Sequence, residues 1–116
     1  MSLLLAVAAC WVTDGDTIRC GEERVRLLGI DAPEFHCPRT RDCVNGDPQA
    51  ATDYLASLMR GREISLWRVG IDRYGRTLAI AYADDINLNC AMIDAGHAQY
   101  IARWDDGGRV AAECGW

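Results

Sequence analysis

Predicted strands crowd into the first third of the chain, and this crowding constrains the fold more than any other feature of the sequence. Residues 7–13, 16–20 and 24–30 have the alternating or apolar character of short strands. They are separated by Asp14-Gly15 and by Gly21-Glu22-Glu23, both of which have the composition of turns. The three segments therefore predict a β-meander.

Two more strands follow after an interruption. Residues 62–68 and 77–83 are predicted strands, with turn residues at 72–75 between them. Five short strands with a helix inserted after the third indicate a β-rich α+β domain, a five-stranded β-barrel of the OB type with two or three appended helices. With 116 residues and no linker or repeat, we expect one domain over residues 1–116.

The helices are predicted from local sequence. Asp47-Pro48 supplies an N-cap and a proline at the first helical position, and apolar residues then recur at helical spacing up to Gly61. Either Asn87 or Asn89 is expected to cap a second helix over residues 88–95, and residues 109–114 form a third, short candidate.

The charge balance limits how an anionic partner can be bound. Twelve basic residues against 17 acidic ones give a net charge of −5, which excludes bulk coating of nucleic acid or of an anionic membrane. All the basic residues are arginine, which suits bidentate contact with phosphate, although codon bias explains the same usage. The longest apolar run, residues 3–12, is too short to span a bilayer.

Acidic residues flank the ends of neighbouring predicted strands. Asp14 and Asp16 lie beside the first hairpin turn, and Asp31 and Glu34 follow the third strand. In a meander these carboxylates could gather at one edge, where oxygen ligands favour Ca²⁺ or Mg²⁺ over a soft metal. Taken singly, each is more often a turn or surface residue.

Arg26 favours the functional interpretation of this cluster. On its strand it has the same parity as Leu28 and Ile30, so it points toward the face that those apolar residues occupy. An inward arginine needs an anionic partner or substrate. Arg76, at the entrance of the fifth strand, is a second candidate, but alone it would be a solvated turn residue.

Four motifs, taken together and in order, make the chain resemble the thermonuclease, or staphylococcal-nuclease-like, family. They are VTDGDT at 12–17, RVRLLGIDAPE at 24–34, DRYGR at 72–76 and NCAMIDAG at 89–96. The resemblance implies a five-stranded OB barrel and a calcium-dependent nuclease acting on DNA, RNA or both. It also implies a nucleic acid substrate with no obligatory protein partner, and we expect a monomer.

The resemblance assigns the metal ligands. Asp16 and Asp31 match the carboxylates that bind a catalytic Ca²⁺. Ala32 matches the position that contributes a backbone carbonyl, so its small side chain costs nothing.

The resemblance also assigns the residues that act on substrate. Glu34 matches the carboxylate that orients or deprotonates the attacking water, and Arg26 and Arg76 match the guanidiniums that bind the scissile phosphate. Tyr74 matches a tyrosine that contacts a terminal phosphate. Trp104 lies near a position where members carry a tyrosine under the base, and packing is its alternative role.

A second function from a different class remains open. Degenerate members of this family are non-catalytic OB modules that bind single-stranded nucleic acid or a protein partner. The filled catalytic positions count against that alternative here.

The cysteine pairings are left open by the sequence. Cys37 and Cys43 could form a disulfide beside Glu34, bind zinc together with His36 as a structural loop site, or remain free thiols. Cys10 and Cys20 lie near partner positions of the first hairpin, where they are either bridged or simply buried. Nothing in the sequence pairs the last two cysteines, Cys90 and Cys114.

The even number of cysteines, six, and the secreted members of the family predict an oxidising compartment, so we expect a secreted or periplasmic protein. Residues 7–10 also resemble a lipoprotein cleavage site, but no cation precedes Arg19, which favours a buried first strand instead. Residues 1–3 are compatible with a cloning remnant.

Overall fold

The computed structural model describes residues 9–116, and in it the predicted meander is present. Its strands are β1 (Cys10–Asp14), β2 (Thr17–Cys20) and β3 (Glu23–Leu27), paired antiparallel in sequence order. The first strand begins at Cys10, later than predicted, and residues 7 and 8 lie outside the described part.

The third predicted strand, residues 24–30, is wrong as a single element. The chain turns at Gly29, whose φ of 75° lies in the left-handed region that glycine adopts without a steric penalty. A separate short strand, β4 (Ile30–Asp31), follows. Leu28 and Ile30 consequently enter different core clusters, so the expectation that Arg26 shares a face with both holds for Leu28 only.

The remaining strands complete a mixed sheet. β5 (Ile64–Ile71) and β6 (Thr77–Ala83) form a hairpin, and β6 pairs parallel with β3, so the order is β1-β2-β3-β6-β5. A short β7 (Ile86–Asn87) pairs with β6, and β8 (Gln99–Tyr100) pairs with β4. Within residues 9–116 no pairing joins β1 to β5, so closure into a five-stranded barrel stays a prediction.

The predicted helices are confirmed as α1 (Pro48–Met59), α2 (Leu88–Asp94) and α3 (Arg109–Cys114). The Asp47 carboxylate caps α1 by accepting from the first backbone N–H groups of the helix. Asn87, rather than Asn89, caps α2. Two single 3-10 turns, at Ala102–Trp104 and Asp106–Gly108, were not predicted.

Strand β6 has buried residues on both faces because α1 and α2 cover one side of the sheet and α3 covers the other. Its alanines pack in the cluster with Leu55 and Met92, and Ile80 packs in a second cluster with Val110. The fully buried Asn89 donates to the carbonyls of Leu28 and Ala79 at 2.9 and 3.3 Å, which anchors the end of β3 to β6.

All six cysteines are in disulfides: Cys10–Cys20, Cys37–Cys43 and Cys90–Cys114. The zinc and free-thiol alternatives for the loop that follows His36 are therefore wrong. The lipoprotein alternative is wrong as well, because the sulfur of Cys10 is already bonded to Cys20. Among the described residues, no helix has both the length and the apolar character needed to cross a membrane.

Candidate active site

The turn between β1 and β2 is pressed against the segment that follows β4. A Cβ atom at Gly15 would lie 2.8 Å from the Cβ atoms of both Ala32 and Ala51, so only glycine permits this approach. The backbone carbonyl of Asp16 also accepts from the N–H of Leu27 at 2.9 Å. Together these contacts carry Asp16 to the side of Asp31.

Three of the predicted site residues meet at this point. Carboxylate oxygens of Asp16, Asp31 and Glu34 lie within 4.8 Å of one another. Asp16 is only 3% exposed and Asp31 only 4%, whereas Glu34 is half-buried at the rim. We call these three residues the acidic cluster. A compact set of carboxylate oxygens is the ligand type that hard divalent cations prefer.

Asp16 is held in the ionised form. Burial raises the pKa of its carboxyl, but the charge of Arg26 and the hydrogen bonds it accepts outweigh burial, so its pKa is lowered overall. Its Oδ2 accepts from the backbone N–H of Ala32 at 2.9 Å, and its Oδ1 accepts from the hydroxyl of Thr17 at 3.0 Å. A fixed, charged oxygen is thus available to a cation.

Asp31 has one satisfied oxygen and one that is not. Its Oδ2 lies 2.6 Å from Nη2 of Arg41, whereas its buried Oδ1 accepts no hydrogen bond. The Arg26 guanidinium lies 3.6 Å from that second oxygen. An unsatisfied buried oxygen in a native protein requires an explanation, and a bound cation supplies one. The residues present therefore fit a divalent ion.

Arg26 is fixed in place by its own backbone contacts. Its Nη1 donates to the carbonyls of Leu27 and Ile30 at 3.1 and 2.9 Å, across the turn that ends β3. Its Nη2 lies 3.4 Å from Asp16 Oδ2, so the guanidinium faces the acidic cluster. The turn at Gly29 thus helps to aim this arginine.

Burial, and after it the crowding of carboxyl groups, raises the pKa values of Asp14 and Glu34. The pKa of Asp14 is raised to about 7, first by burial and then by its hydrogen bond to Asp16 and the charge of that residue. Burial, with the charge of Asp16, also raises the pKa of Glu34. A carboxylate with a raised pKa is a better proton acceptor near neutral pH.

Trp104 borders the acidic cluster. The Cζ atoms of Arg26 and Arg41 lie 5.6 and 5.9 Å from the centre of its ring, and Arg103 stacks at 5.3 Å. Trp104 is 37% exposed as a residue, so part of its surface is accessible to a ligand.

Comparison with known proteins gives this geometry a context. Residues 24–113 match the family described as staphylococcal nuclease homologue. The chain belongs to this family. The match covers all the predicted site residues except Asp16, which lies just before it.

Individual relatives agree with the family match. An uncharacterized endonuclease of Escherichia coli O157:H7 is 38% identical over 92 residues, which are 75% of this chain and 55% of that protein. An uncharacterized endonuclease of Haemophilus influenzae is 37% identical, with 75% and 47% covered, and a thermonuclease of Staphylococcus intermedius is 35% identical, with 76% and 55% covered. The chain spans about half the length of these relatives.

Arg76 and Tyr74, which the family resemblance assigns to the substrate, contact each other and Asp72. Nε of Arg76 is 2.8 Å from Asp72 Oδ2, and its Cζ is 5.4 Å from the centre of the Tyr74 ring. In the parallel pair of β3 and β6, Arg26 lies opposite Leu78. Arg76 directly precedes β6, two residues before Leu78.

One residue at this site was not predicted. Arg41 contacts Asp31 and has Nη1 4.0 Å from Oε1 of Glu34, although it lies outside the four motifs that carry the family resemblance. The available indication was its position between Cys37 and Cys43, because a disulfide there keeps the loop close to Glu34.

Proposed function

We propose that the chain is a calcium-dependent nuclease that hydrolyses phosphodiester bonds in DNA or RNA. The observation that supports this best is the acidic cluster, with three carboxylate oxygens within 4.8 Å of one another beside the nearly buried Arg26. Asp16 and Asp31 hold the cation, together with the backbone carbonyl of Ala32. A bound calcium ion supplies Lewis-acid stabilisation of the charge that develops on the phosphoryl oxygens.

Glu34 acts on the attacking water. Its carboxylate orients the water and accepts one proton as the water oxygen bonds to phosphorus, while the bond from phosphorus to the leaving oxygen breaks. The raised pKa of Glu34, caused by burial and by the charge of Asp16, suits this proton transfer. Its partial exposure at the rim gives water access.

Arg26 and Arg76 bind the scissile phosphate. Negative charge on the phosphoryl oxygens grows in the transition state, so guanidiniums directed at those oxygens stabilise it more than the bound substrate. Arg26 is already directed toward the acidic cluster. Arg76 reaches the same phosphate from the adjacent strand, and the phosphate takes the place of part of its contact with Asp72.

Substrate binding is local because the whole chain is acidic. Three arginines stack on Trp104 and two on Tyr74, so each exposed ring carries concentrated positive charge. In the proposed complex a base stacks on Trp104 and a terminal phosphate contacts Tyr74. Stacking on a ring accepts any base, so binding is tolerant of sequence.

The three disulfides support an oxidising location for this activity, either outside the cell or in a periplasm.

Cleavage assays with calcium and with a chelator test the function. The purified protein is incubated with single-stranded DNA and with RNA, in calcium and in excess EGTA, and Asp16→Ala purified in the same way controls for contaminating nucleases. We expect cleavage in calcium only. Cleavage that persists in EGTA contradicts the metal dependence. Binding without cleavage under both conditions favours the non-catalytic OB module.

A further inference from the structure

Arg41 is supported from two sides over the acidic cluster. On one side, the Cys37–Cys43 disulfide closes the loop that carries it, with Cα atoms 6.0 Å apart and Cys37 Sγ 3.6 Å from the carbonyl oxygen of Arg41. On the other side, its guanidinium stacks on Trp104 at 5.9 Å. The disulfide-closed loop and the stacking on Trp104 therefore fix the position of the Arg41 side chain.

Most N–H groups of the Arg41 guanidinium are available to a ligand. Its one hydrogen bond among the described residues is from Nη2 to Asp31, and its side chain is 36% exposed. Arg26, in contrast, donates to two backbone carbonyls and is nearly buried. Arg26 is a fixed part of the site, whereas Arg41 can exchange its partner.

A cavity of about 460 Å³ lies in front of Arg41. It runs from Asp31 to Trp104, and Arg103 lines it as well. A volume of this size lies within the range that accommodates small-molecule ligands. Its wall carries two guanidiniums and an exposed indole, together with the carboxylates of Asp31 and Asp42. Once a cation binds Asp31, the guanidiniums outnumber the remaining carboxylate, and with the indole they suit a ligand that combines negative charge with a flat ring, which is the chemistry of a nucleotide unit.

We propose that Arg41 is a third phosphate-binding arginine, positioned by the Cys37–Cys43 disulfide, and that it contacts the phosphate next to the scissile one in this cavity. The inference rests on the proposed nuclease function. Arg41 neutralises Asp31 in the metal-free protein. When the oxygens of Asp31 bind a cation, the substrate phosphate becomes the remaining anionic partner of Arg41, and the guanidinium exchanges one for the other.

Replacing Arg41 tests this proposal, with Arg39→Ala as the matched control. Arg39 lies in the same loop, is exposed and also carries one positive charge. We expect Arg41→Ala to raise KM by about tenfold, the effect of one charge-assisted hydrogen bond. The Kd for a nuclease-resistant single-stranded oligonucleotide analogue, measured by fluorescence anisotropy in calcium, should rise by the same factor. Arg41→Lys should recover only part of the loss, because lysine lacks the planar fork.

Calcium affinity distinguishes the proposed role of Arg41 from a structural one, because a loss of structure in Arg41→Ala would weaken calcium binding. Isothermal titration should show calcium affinity equal to or tighter than wild type in Arg41→Ala, because a cation that competes for Asp31 has been removed. Weaker calcium binding would overturn the proposal and make Arg41 a structural support of the metal site.

The role of the disulfide is tested by Cys37→Ser/Cys43→Ser. We expect this double variant to reproduce the KM of Arg41→Ala, and adding Arg41→Ala to it should change little further. Full additivity of the two effects would show that the disulfide does not position Arg41.

Equal KM values for Arg41→Ala and Arg39→Ala overturn the inference while the nuclease function stands. If the wild-type protein cleaves nothing, the proposed function fails, and the anisotropy arm still decides whether Arg41 binds phosphate.

Discussion

Two clusters of carboxylate and arginine lie at opposite ends of β3, and they differ in how completely their hydrogen bonds are satisfied. At the start of the strand, both oxygens of Glu23 accept from Arg68, each at 2.8 Å, and Thr77 adds a third bond at 2.7 Å. At the other end, Arg26 approaches Asp16 and Asp31 no closer than 3.4 Å, and Asp31 Oδ1 accepts no hydrogen bond.

The difference separates a cluster whose hydrogen bonds are complete from one that can still bind a ligand. Hydrogen bonding to Arg68 holds the pKa of Glu23 at about 2, so one anion and one cation are matched. In the acidic cluster, carboxyl groups outnumber arginines, and burial raises the pKa values of Glu34 and of the neighbouring Asp14. Perturbed and incompletely paired groups are typical of functional sites, because the missing partner is a ligand.

The largest expected effect comes from changing a residue in the incomplete cluster. Asp31→Asn keeps the size of the side chain but removes the negative charge from the unsatisfied oxygen. We expect calcium binding measured by isothermal titration to be lost, and cleavage to fall to background, because the carboxylate supplies anionic oxygens to a hard cation. Retained calcium affinity in this variant would remove the acidic cluster as the metal site.

Arg76 tests whether the active site extends beyond the acidic cluster. Arg76→Ala should lower kcat by roughly 10³-fold, the scale for removing a group that stabilises charge in the transition state. The melting temperature should change little, because the contact with Asp72 is partly solvated. Arg76→Lys should recover little activity.

The control for this prediction is Arg60→Ala, which removes an exposed arginine at the end of α1. If high salt reproduces the whole effect of Arg76→Ala in the wild-type protein, Arg76 contributes only general electrostatic attraction.

Glu34 should show a smaller effect on turnover and a distinct dependence on pH. Glu34→Gln is expected to lower kcat by roughly 10²-fold with KM nearly unchanged, the usual contribution of a general base. A base acts only when deprotonated, so wild-type kcat should fall as pH drops through the raised pKa of Glu34. In the variant that limb of the pH profile should disappear. Equal losses in kcat and substrate affinity would make Glu34 a binding or metal residue.

The elements that the sequence predicts correctly are those whose causes are local. Asp47 and Pro48 specify the start of α1 within two residues, and Asn87 caps α2 in the same way. The β1–β2 hairpin is equally local, because Asp14 and Gly15 specify its turn. The resemblance to a family assigns roles to Asp16, Asp31 and Glu34; the fold brings their carboxylates together, and the roles themselves stay predictions.

What the sequence could not predict depends on contacts between distant segments. The chain leaves β3 at Gly29 and begins a separate strand because β4 pairs with β8, which lies some seventy residues later in the sequence. The guanidinium of Arg41 stacks on Trp104, and Glu23 accepts hydrogen bonds from Arg68, which is 45 residues away. No pattern within a short window reports such pairs, because each depends on the packing of the whole domain.

The smallest expected effect comes from breaking the satisfied cluster. Glu23→Gln should leave kcat and calcium affinity unchanged and lower the free energy of unfolding at pH 7 by up to about 1 kcal/mol, the scale for an ion pair with exposed members. Urea denaturation measures the difference. A loss of activity comparable to that of Asp31→Asn would show that the two clusters are not separate in function.

The pH dependence of the stability difference between the wild-type protein and Glu23→Gln shows whether that difference comes from the charge of Glu23. Because the pKa of Glu23 is lowered in the folded protein from 4.5 to about 2, its charge stabilises the fold fully above the unfolded pKa. The stabilisation is lost as pH falls from 4.5 toward 2, where the carboxyl becomes protonated in both states. The gap between the wild-type protein and Glu23→Gln should therefore be constant from neutral pH down to about 5 and should close below it. A gap that stays constant down to pH 2 would mean that the glutamate stabilises the sheet through packing and neutral hydrogen bonds, and not through its charge.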